Sequence, residues 1–232
     1  MAIDVTLSVV LPAYMEEENL RQLLPRLKNV ISGIDSSGEI IVIDTLAPMD
    51  NTREVCELYG ARYVNRRGGN FFGDAVRTGI AEAHGEFVVF MDADGSHPPE
   101  FISKLWNARN EADVVIASRY VAGGATDNSR VLVLMSLIVN LVYSVVLGLN
   151  CKDVSNSFKL YRTRMLKELC LRCNNFDIVE EILFKIKQTH GDLRIKELPF
   201  AFKKRMFGTT KRSLFAFIFS FVVTLVRLRF GK

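Results

Sequence analysis

An alternation running through the first half of the chain limits most severely what it can fold into. Short apolar runs at 5–11, Glu39–Asp44, Arg62–Asn65, 87–92 and 113–118 take turns with segments of helical period. Leu20, Leu23, Leu24, Leu27, Val30 and Ile31 recur three and four apart, so 16–31 reads as an amphipathic helix. Further helices are expected over Thr52–Tyr59, 74–83 and 98–110, the last opening at proline. Runs without a polar partner at every second position are what a strand covered on both faces requires. Strands alternating with helices of this length predict an α/β fold, a mostly parallel sheet with helices on both faces.

In open sheets of this type, ligands bind outside the carboxyl ends of the strands. Pro12 and Tyr14 follow the first run, Asp44 closes the second, Asp92 and Asp94 follow the fourth, and Arg119 the fifth. The sequence therefore predicts one crevice lined by residues far apart in the chain.

The second half has a different character. Positions 131–149 are nineteen residues without a charge, about 28 Å as a helix. The polar members Ser136, Asn140, Tyr143 and Ser144 fall on one helical face. Positions 213–229 repeat the pattern, with Ser213, Ser220, Thr224 and Arg227 in a stripe and Phe215, Phe217, Phe219 and Phe221 supplying bulk. A one-sided polar stripe suits a helix with protein on one side and lipid on the other; a buried core helix and a membrane span are the alternatives. From Lys203 to Lys232 there are lysines and arginines but no acid, which adds attraction to anionic lipid or polyphosphate.

Composition closes off other classes. With 49% apolar residues in 232, a core is available and disorder is excluded. A net charge of +4, with no basic run interleaved with aromatics, speaks against a nucleic-acid partner. Cys56, Cys151, Cys170 and Cys173 have no disulfide or zinc spacing and read as free thiols in a reducing compartment. The amino terminus has no basic leader before its apolar run, so no signal peptide is expected, and the chain is expected at the cytoplasmic face of a membrane.

The densest chemical signal is Asp92-Ala93-Asp94, followed by Gly95-Ser96-His97-Pro98-Pro99-Glu100. Two carboxylates one residue apart beyond a strand suit a hard divalent cation that also holds a diphosphate. Around this run stand Val10-Leu11-Pro12-Ala13-Tyr14, Glu16-Glu17-Glu18-Asn19-Leu20, Glu39–Asp44 and Ala117-Ser118-Arg119-Tyr120. Further on come Asp153, Ser157-Phe158-Lys159-Leu160-Tyr161 and the Arg205, Gly208, Lys211 end. In this order the stretches resemble family 2 glycosyltransferases of the GT-A fold, specifically the polyprenyl-phosphate sugar synthases, over roughly residues 5–212.

The resemblance implies a Rossmann-like GT-A domain over 1–212 with the apolar helix 131–149 inserted, and a basic tail helix over 213–232. It implies that Pro12, Tyr14, Glu16, Ile43 and Asp44 hold a nucleoside. Asp92, Ala93 and Asp94 would hold the diphosphate, and Asp92, Asp94 and Ser96 a Mg²⁺ or Mn²⁺ ion. Arg119, Arg130, Arg205 and Lys211 would face the donor diphosphate or an acceptor phosphate. The implied reaction moves a hexose from a GDP- or UDP-sugar to a polyprenyl phosphate, with inversion and with Asp94, Asp92 and Arg119 as the catalytic set. Its implied partners are that nucleotide sugar, that lipid phosphate and the membrane surface.

Two departures surround the base and ribose: Met15 stands where the family usually has asparagine, and Thr45 where it has a second acid. The segment from Gly68 to Gly73 lacks the spacing of a dinucleotide fingerprint. Other readings stay open. A hydroxyl acceptor would need a base, for which Glu180 or Glu181 is the candidate, although both also suit a helix start. A non-catalytic subunit is a third reading. Asp44 also fits a helix cap, Asp153 also fits a structural role, and His84, His97 and His190 show no metal-ligand spacing.

Overall fold

The computed structural model describes residues 5–34, 37–207 and 214–230, with backbone alone over 214–220. The strands are β1 (Leu7–Pro12), β2 (Glu39–Asp44), β3 (Arg62–Asn65), β4 (Phe87–Phe90), β5 (Val114–Ser118), β6 (Ala125–Thr126), β7 (Lys159–Arg162), β8 (Ile195–Pro199) and β9 (Ala201–Phe202). The helices are α1 (Glu17–Ile34), α2 (Thr52–Tyr59), α3 (Phe72–Glu82), α4 (Ile102–Asn107), α5 (Arg130–Leu147), α6 (Thr163–Lys167), α7 (Ile178–His190) and α8 (Leu214–Phe230).

Seven strands form one sheet in the order β3-β2-β1-β4-β7-β5-β8, and β6 pairs with β9 beside it. All neighbours in the large sheet are parallel except β7, which runs antiparallel between β4 and β5. Alternate residues of each strand feed opposite layers. Val9, Leu11, Ile40 and Val42 join the layer under α1, α2 and α4, while Val10, Ile41 and Ile43 join the layer under α3, α5 and α7. The buried leucines of α1, Leu20, Leu23, Leu24 and Leu27, each contribute about 1.5–3 kcal/mol by leaving water.

The expected elements are present, with shifted ends. The first strand begins at Leu7, and the fourth stops at Phe90, where its register with β7 ends at Lys159. The expected helix over 98–110 is instead a 3₁₀ turn, Pro99–Phe101, followed by α4. Pro98 precedes another proline and is held extended, at φ −63° and ψ 126°, because the second ring excludes the helical basin.

The apolar helix at 131–149 is α5, begun by a Ser129 hydroxyl that accepts from Leu132 N–H and stopped by Gly148 at φ 65°. Its polar residues face the protein: Asn140 Oδ1 accepts the Ser155 N–H at 2.8 Å, and Ser144 donates to the Leu149 carbonyl. Its opposite face is bare. Val131, Leu134, Ile138, Leu141 and Val145 are 54–70% exposed at steps of three and four. Helix α8 packs beside α5 through an edge-on Tyr143–Phe221 contact at 4.8 Å, and Thr224 donates to Asp177. Val222, Val226 and Phe230 point away from the protein. Of the expected α8 stripe, Thr224 is buried and Arg227 exposed; the Ser213 and Ser220 side chains lie outside the described residues.

Candidate active site

Strand β1 pairs with β2 on one side and β4 on the other, so the chain leaves the sheet in opposite directions from neighbouring strands. A cleft opens at that point. It measures ≈ 430 Å³ and is lined by Pro12, Ala13, Tyr14 and Glu16 from the end of β1 and by Asp92, Ala93 and Asp94 from the end of β4. Two arginines, Arg66 and Arg205, and three phenylalanines, Phe72, Phe176 and Phe202, complete its walls. The expected crevice thus brings together Pro12, Tyr14, Glu16, Asp92, Ala93, Asp94 and Arg205.

The acidic turn is shaped by local geometry. Gly95 sits at φ 80°, and a Cβ there would lie 2.5 Å from the Met206 side chain, so only glycine fits both the turn and the overlying chain. Asp94 Oδ1 accepts the Ser96 N–H at 3.0 Å, and the Asp94 carbonyl accepts from Met206 N–H at 2.9 Å. Asp92 N–H donates to His97 Nδ1 at 2.9 Å, and Ser157 Oγ donates to Asp92 Oδ1 at 2.9 Å. His97 is fully buried, stacked on Phe158 with centroids 4.7 Å apart, and burial holds its pKa below the usual imidazole range. Its role is structural: its imidazole acts as a neutral acceptor that fixes the Asp92 backbone.

Arg205 bridges the two acidic edges of the cleft. It donates to Glu16 Oε1 at 2.9 Å and to the Phe207 carbonyl at 2.8 Å, while its Nε stands 4.0 Å from Asp94 Oδ2. Burial raises the Glu16 pKa, an effect that the Asn19 amide and Arg205 oppose without reversing. A cation poised between carboxylates beside an open cleft suits an incoming phosphate, for which arginine is the favoured partner.

A divalent ion fits the donor set. Asp92 and Asp94 put two hard oxygen ligands on the cleft, and the buried Ser96 Oγ has no hydrogen-bond partner. One or two carboxylates, completed by water and substrate phosphates, is the usual arrangement for Mg²⁺.

At the β2 end, Asp44 is buried, accepts the Tyr63 hydroxyl on Oδ2 at 3.0 Å, and leaves Oδ1 without a partner. Burial raises its pKa. Ile43 is wholly inside the sheet, and its carbonyl accepts the Ala13 N–H at 2.9 Å, so it shapes the β1 end from behind. Arg66 is a further element of the site. Its buried guanidinium donates to the carbonyls of Asp44, Asn70, Phe71 and Ala13, tying three loops of the cleft together. No sequence motif marks it, because its partners are backbone carbonyls rather than side chains.

The remaining expected cations are placed differently. Arg119 is locked in a bidentate pair with Asp153, at 2.9 and 2.7 Å, and also donates to Ser155 Oγ at 3.1 Å. Burial opposes its charge, but the Asp153 carboxylate outweighs burial and its pKa lies above the usual arginine range. Arg130 is exposed at the first turn of α5, and Lys211 lies outside the described residues. Glu181 serves the fold: it accepts the N–H groups of Arg172 and Cys173 and pairs with Lys185 at 2.8 Å. Burial would raise its pKa, yet these donors hold it below the usual carboxylate range. Glu180 is buried within α7, and neither acid is among the residues lining the cleft.

Comparison with known proteins agrees with this architecture. Residues 8–170 match the model of glycosyl transferase family 2. A dolichol-phosphate mannosyltransferase from Pyrococcus furiosus is 34% identical over 211 residues, 88% of this chain and 58% of the relative. An undecaprenyl-phosphate mannosyltransferase from Micrococcus luteus is 29% identical over 218 residues, 88% of this chain and 86% of the relative. This chain therefore spans little more than half of the Pyrococcus protein's length. Among solved structures, glucosyl-3-phosphoglycerate synthase from Mycobacterium tuberculosis, in complex with Mn²⁺, UDP and phosphoglyceric acid, superposes with a TM-score of 0.74. That match has 20% identity and covers 98% of this chain and 79% of that one, a likeness of fold. With its mostly parallel GT-A-like sheet, its acidic turn beyond β4 and a family match over most of its length, the chain belongs to glycosyl transferase family 2.

Proposed function

We propose that the chain transfers one hexose from a nucleotide-diphosphate sugar, GDP-mannose or a UDP-hexose, to a polyprenyl phosphate at the cytoplasmic membrane face. The observation that carries this reading is the junction between the cleft and α5. Asp127 N–H donates to the carbonyl of Phe202, a cleft residue, at 3.1 Å. Three residues later begins a helix whose outer face is bare apolar surface. A substrate with a phosphate head and an isoprenoid tail would present one part to each. The named polyprenyl-phosphate relatives support the same choice.

In this reaction a phosphate oxygen of the acceptor attacks the anomeric carbon as the bond from that carbon to the diphosphate breaks. The products are the inverted glycosyl phosphate lipid and a nucleoside diphosphate. The acceptor oxygen is already anionic, so positioning rather than a general base is required, which agrees with the absence of Glu180 and Glu181 from the cleft lining. Asp92, Asp94 and Ser96 would hold Mg²⁺ or Mn²⁺, which when bound stabilises charge on the leaving diphosphate. Tyr14, Glu16 and Asp44 would engage the nucleoside, with Pro12, Ile43 and Ala93 shaping its seat. Arg205 would exchange Glu16 for a phosphate, and Arg130 and Lys211 would add charge on the acceptor side. Arg119, held by Asp153, would shape that side of the cleft.

The test is a panel of UDP- and GDP-sugars with short polyprenyl phosphates and Mg²⁺ or Mn²⁺, read by chromatography of the lipid fraction. A radiolabelled lipid-linked sugar from one donor is the expected result. Transfer to hydroxyl acceptors alone would overturn the proposed acceptor, and absence of nucleotide-sugar binding would overturn the enzymatic reading.

A further inference from the structure

We propose that Ser157 is a positioning residue for Asp92, holding that carboxylate in the orientation in which it serves a divalent ion; this rests on the metal-assisted reading above. The antiparallel insertion of β7 creates the contact. Phe90 pairs with Lys159 across the β4–β7 ladder, so continuing the same register past the sheet brings position 92 opposite position 157. There the Ser157 hydroxyl donates to Asp92 Oδ1 at 2.9 Å. Oδ2 lies 3.8 Å from His97 Nε2, beyond hydrogen-bond reach.

The loop that presents Ser157 is unusually constrained. Lys159 is fully buried, and its ammonium donates to the carbonyls of Val154, at 2.8 Å, and Asn156. Asn156 reaches back to the Ala117 carbonyl, and Ser155 N–H is held by Asn140 of α5. On the other flank Phe158 stacks on His97, the residue that holds the Asp92 backbone. Asp92 is therefore gripped through its main chain by His97 and through its side chain by Ser157, whose neighbour Phe158 stacks on that same His97. A carboxylate without such a donor rotates about its side-chain bonds, whereas a donor fixed on one oxygen sets the plane of the group and leaves the other oxygen for the cation. Partners of this kind typically alter metal affinity by about 10- to 100-fold when removed.

The experiment is Mn²⁺ titration of the full chain with UDP or GDP present, followed by electron paramagnetic resonance. Wild type is compared with Ser157→Ala, Ser157→Cys and Ser157→Thr, and thermal unfolding is measured without metal. Ser157→Ala should bind Mn²⁺ about 10-fold more weakly at an unchanged unfolding midpoint, and Ser157→Thr, which keeps the hydroxyl, should restore binding. If Ser157→Ala does not fold, Ser157→Cys, which keeps the volume but weakens the donor, should show the same direction of loss. Wild-type affinity in a folded Ser157→Ala or Ser157→Cys overturns the role of Ser157 alone. Absence of Mn²⁺ binding by wild type with either nucleotide overturns this proposal and the metal-assisted reading together.

Discussion

Arg119 and Asp153 meet through two parallel N–H···O bonds of 2.9 and 2.7 Å, and the carboxylate is completely buried. The Arg119 N–H adds a third bond to the same carboxylate at 2.8 Å. Removing one member of such a pair strands the other charge away from water. Asp153→Ala should therefore cost about 3–5 kcal/mol, read as a lower urea midpoint. Arg119→Lys should recover only part of the Arg119→Ala loss, because an ammonium cannot reproduce the planar fork. A midpoint unchanged in Asp153→Ala would show that the pair contributes nothing to the fold.

Met15 is the one described non-glycine residue with positive φ, at 56°, and it stands between the cleft residues Tyr14 and Glu16. Asparagine and glycine tolerate that basin better than methionine does. Met15 is half exposed, so little packing is lost on replacement. Met15→Asn should raise stability by about 0.5–1 kcal/mol, measured by chemical denaturation. A loss instead would mean that the Met15 side chain contributes more through contacts than its backbone costs.

The legible part of this molecule was whatever rests on period and local motif. The strands and α1 are visible because burial on both faces forces continuous apolar runs, and the acidic turn because its two acids lie one residue apart. The inserted β7 was not legible: Lys159–Arg162 is only four residues, two apolar ones between two cations, too short for a period to register. Its place between β4 and β5 depends on contacts distant in sequence. The same distance hid Arg66 and left the functions of Ser157 and Asp153 open. The polar stripe of α5 was legible as one-sidedness, but only the fold shows that Asn140 holds the Ser155 backbone.

Alkaline pH should destabilise the chain. Burial pushes the thiols of Cys56 and Cys151 up to about 12 and raises that of Cys173 as well. Above pH ~9 the unfolded thiols lose protons that the folded ones keep, so each contributes stability that is lost as pH rises toward its folded pKa. Lys159 works in the opposite sense. Burial lowers its pKa to about 8, so between that value and its unfolded value the unfolded chain binds the extra proton and stability rises. Three thiols against one amine leave a net fall above pH ~9. Urea midpoints measured under reducing conditions should therefore drop from pH 9 to 10.5. Cys151→Ala should lessen that slope by about 1.4 kcal/mol per pH unit. An identical slope in the variant would place the titrating groups elsewhere.

The outer face of α5 gives the most direct test of lipid docking. Leu141 and Val145 are 64% and 70% exposed, four residues apart, on the side of the helix opposite Asn140 and Tyr143. Burying two such side chains in the acyl boundary contributes about 3 kcal/mol, on the order of 100-fold in partitioning. The double variant Leu141→Glu, Val145→Glu removes that gain and adds two charges that anionic headgroups repel. It should fold as wild type does, since neither side chain touches the core, while sedimentation with phosphatidylglycerol vesicles falls sharply. High salt should weaken wild-type binding only in part, because screening removes the contribution of basic residues but not that of apolar burial. Vesicle binding that survives the double substitution would assign attachment to α8 or to another surface, and loss of folding would place this face inside a protein interface instead.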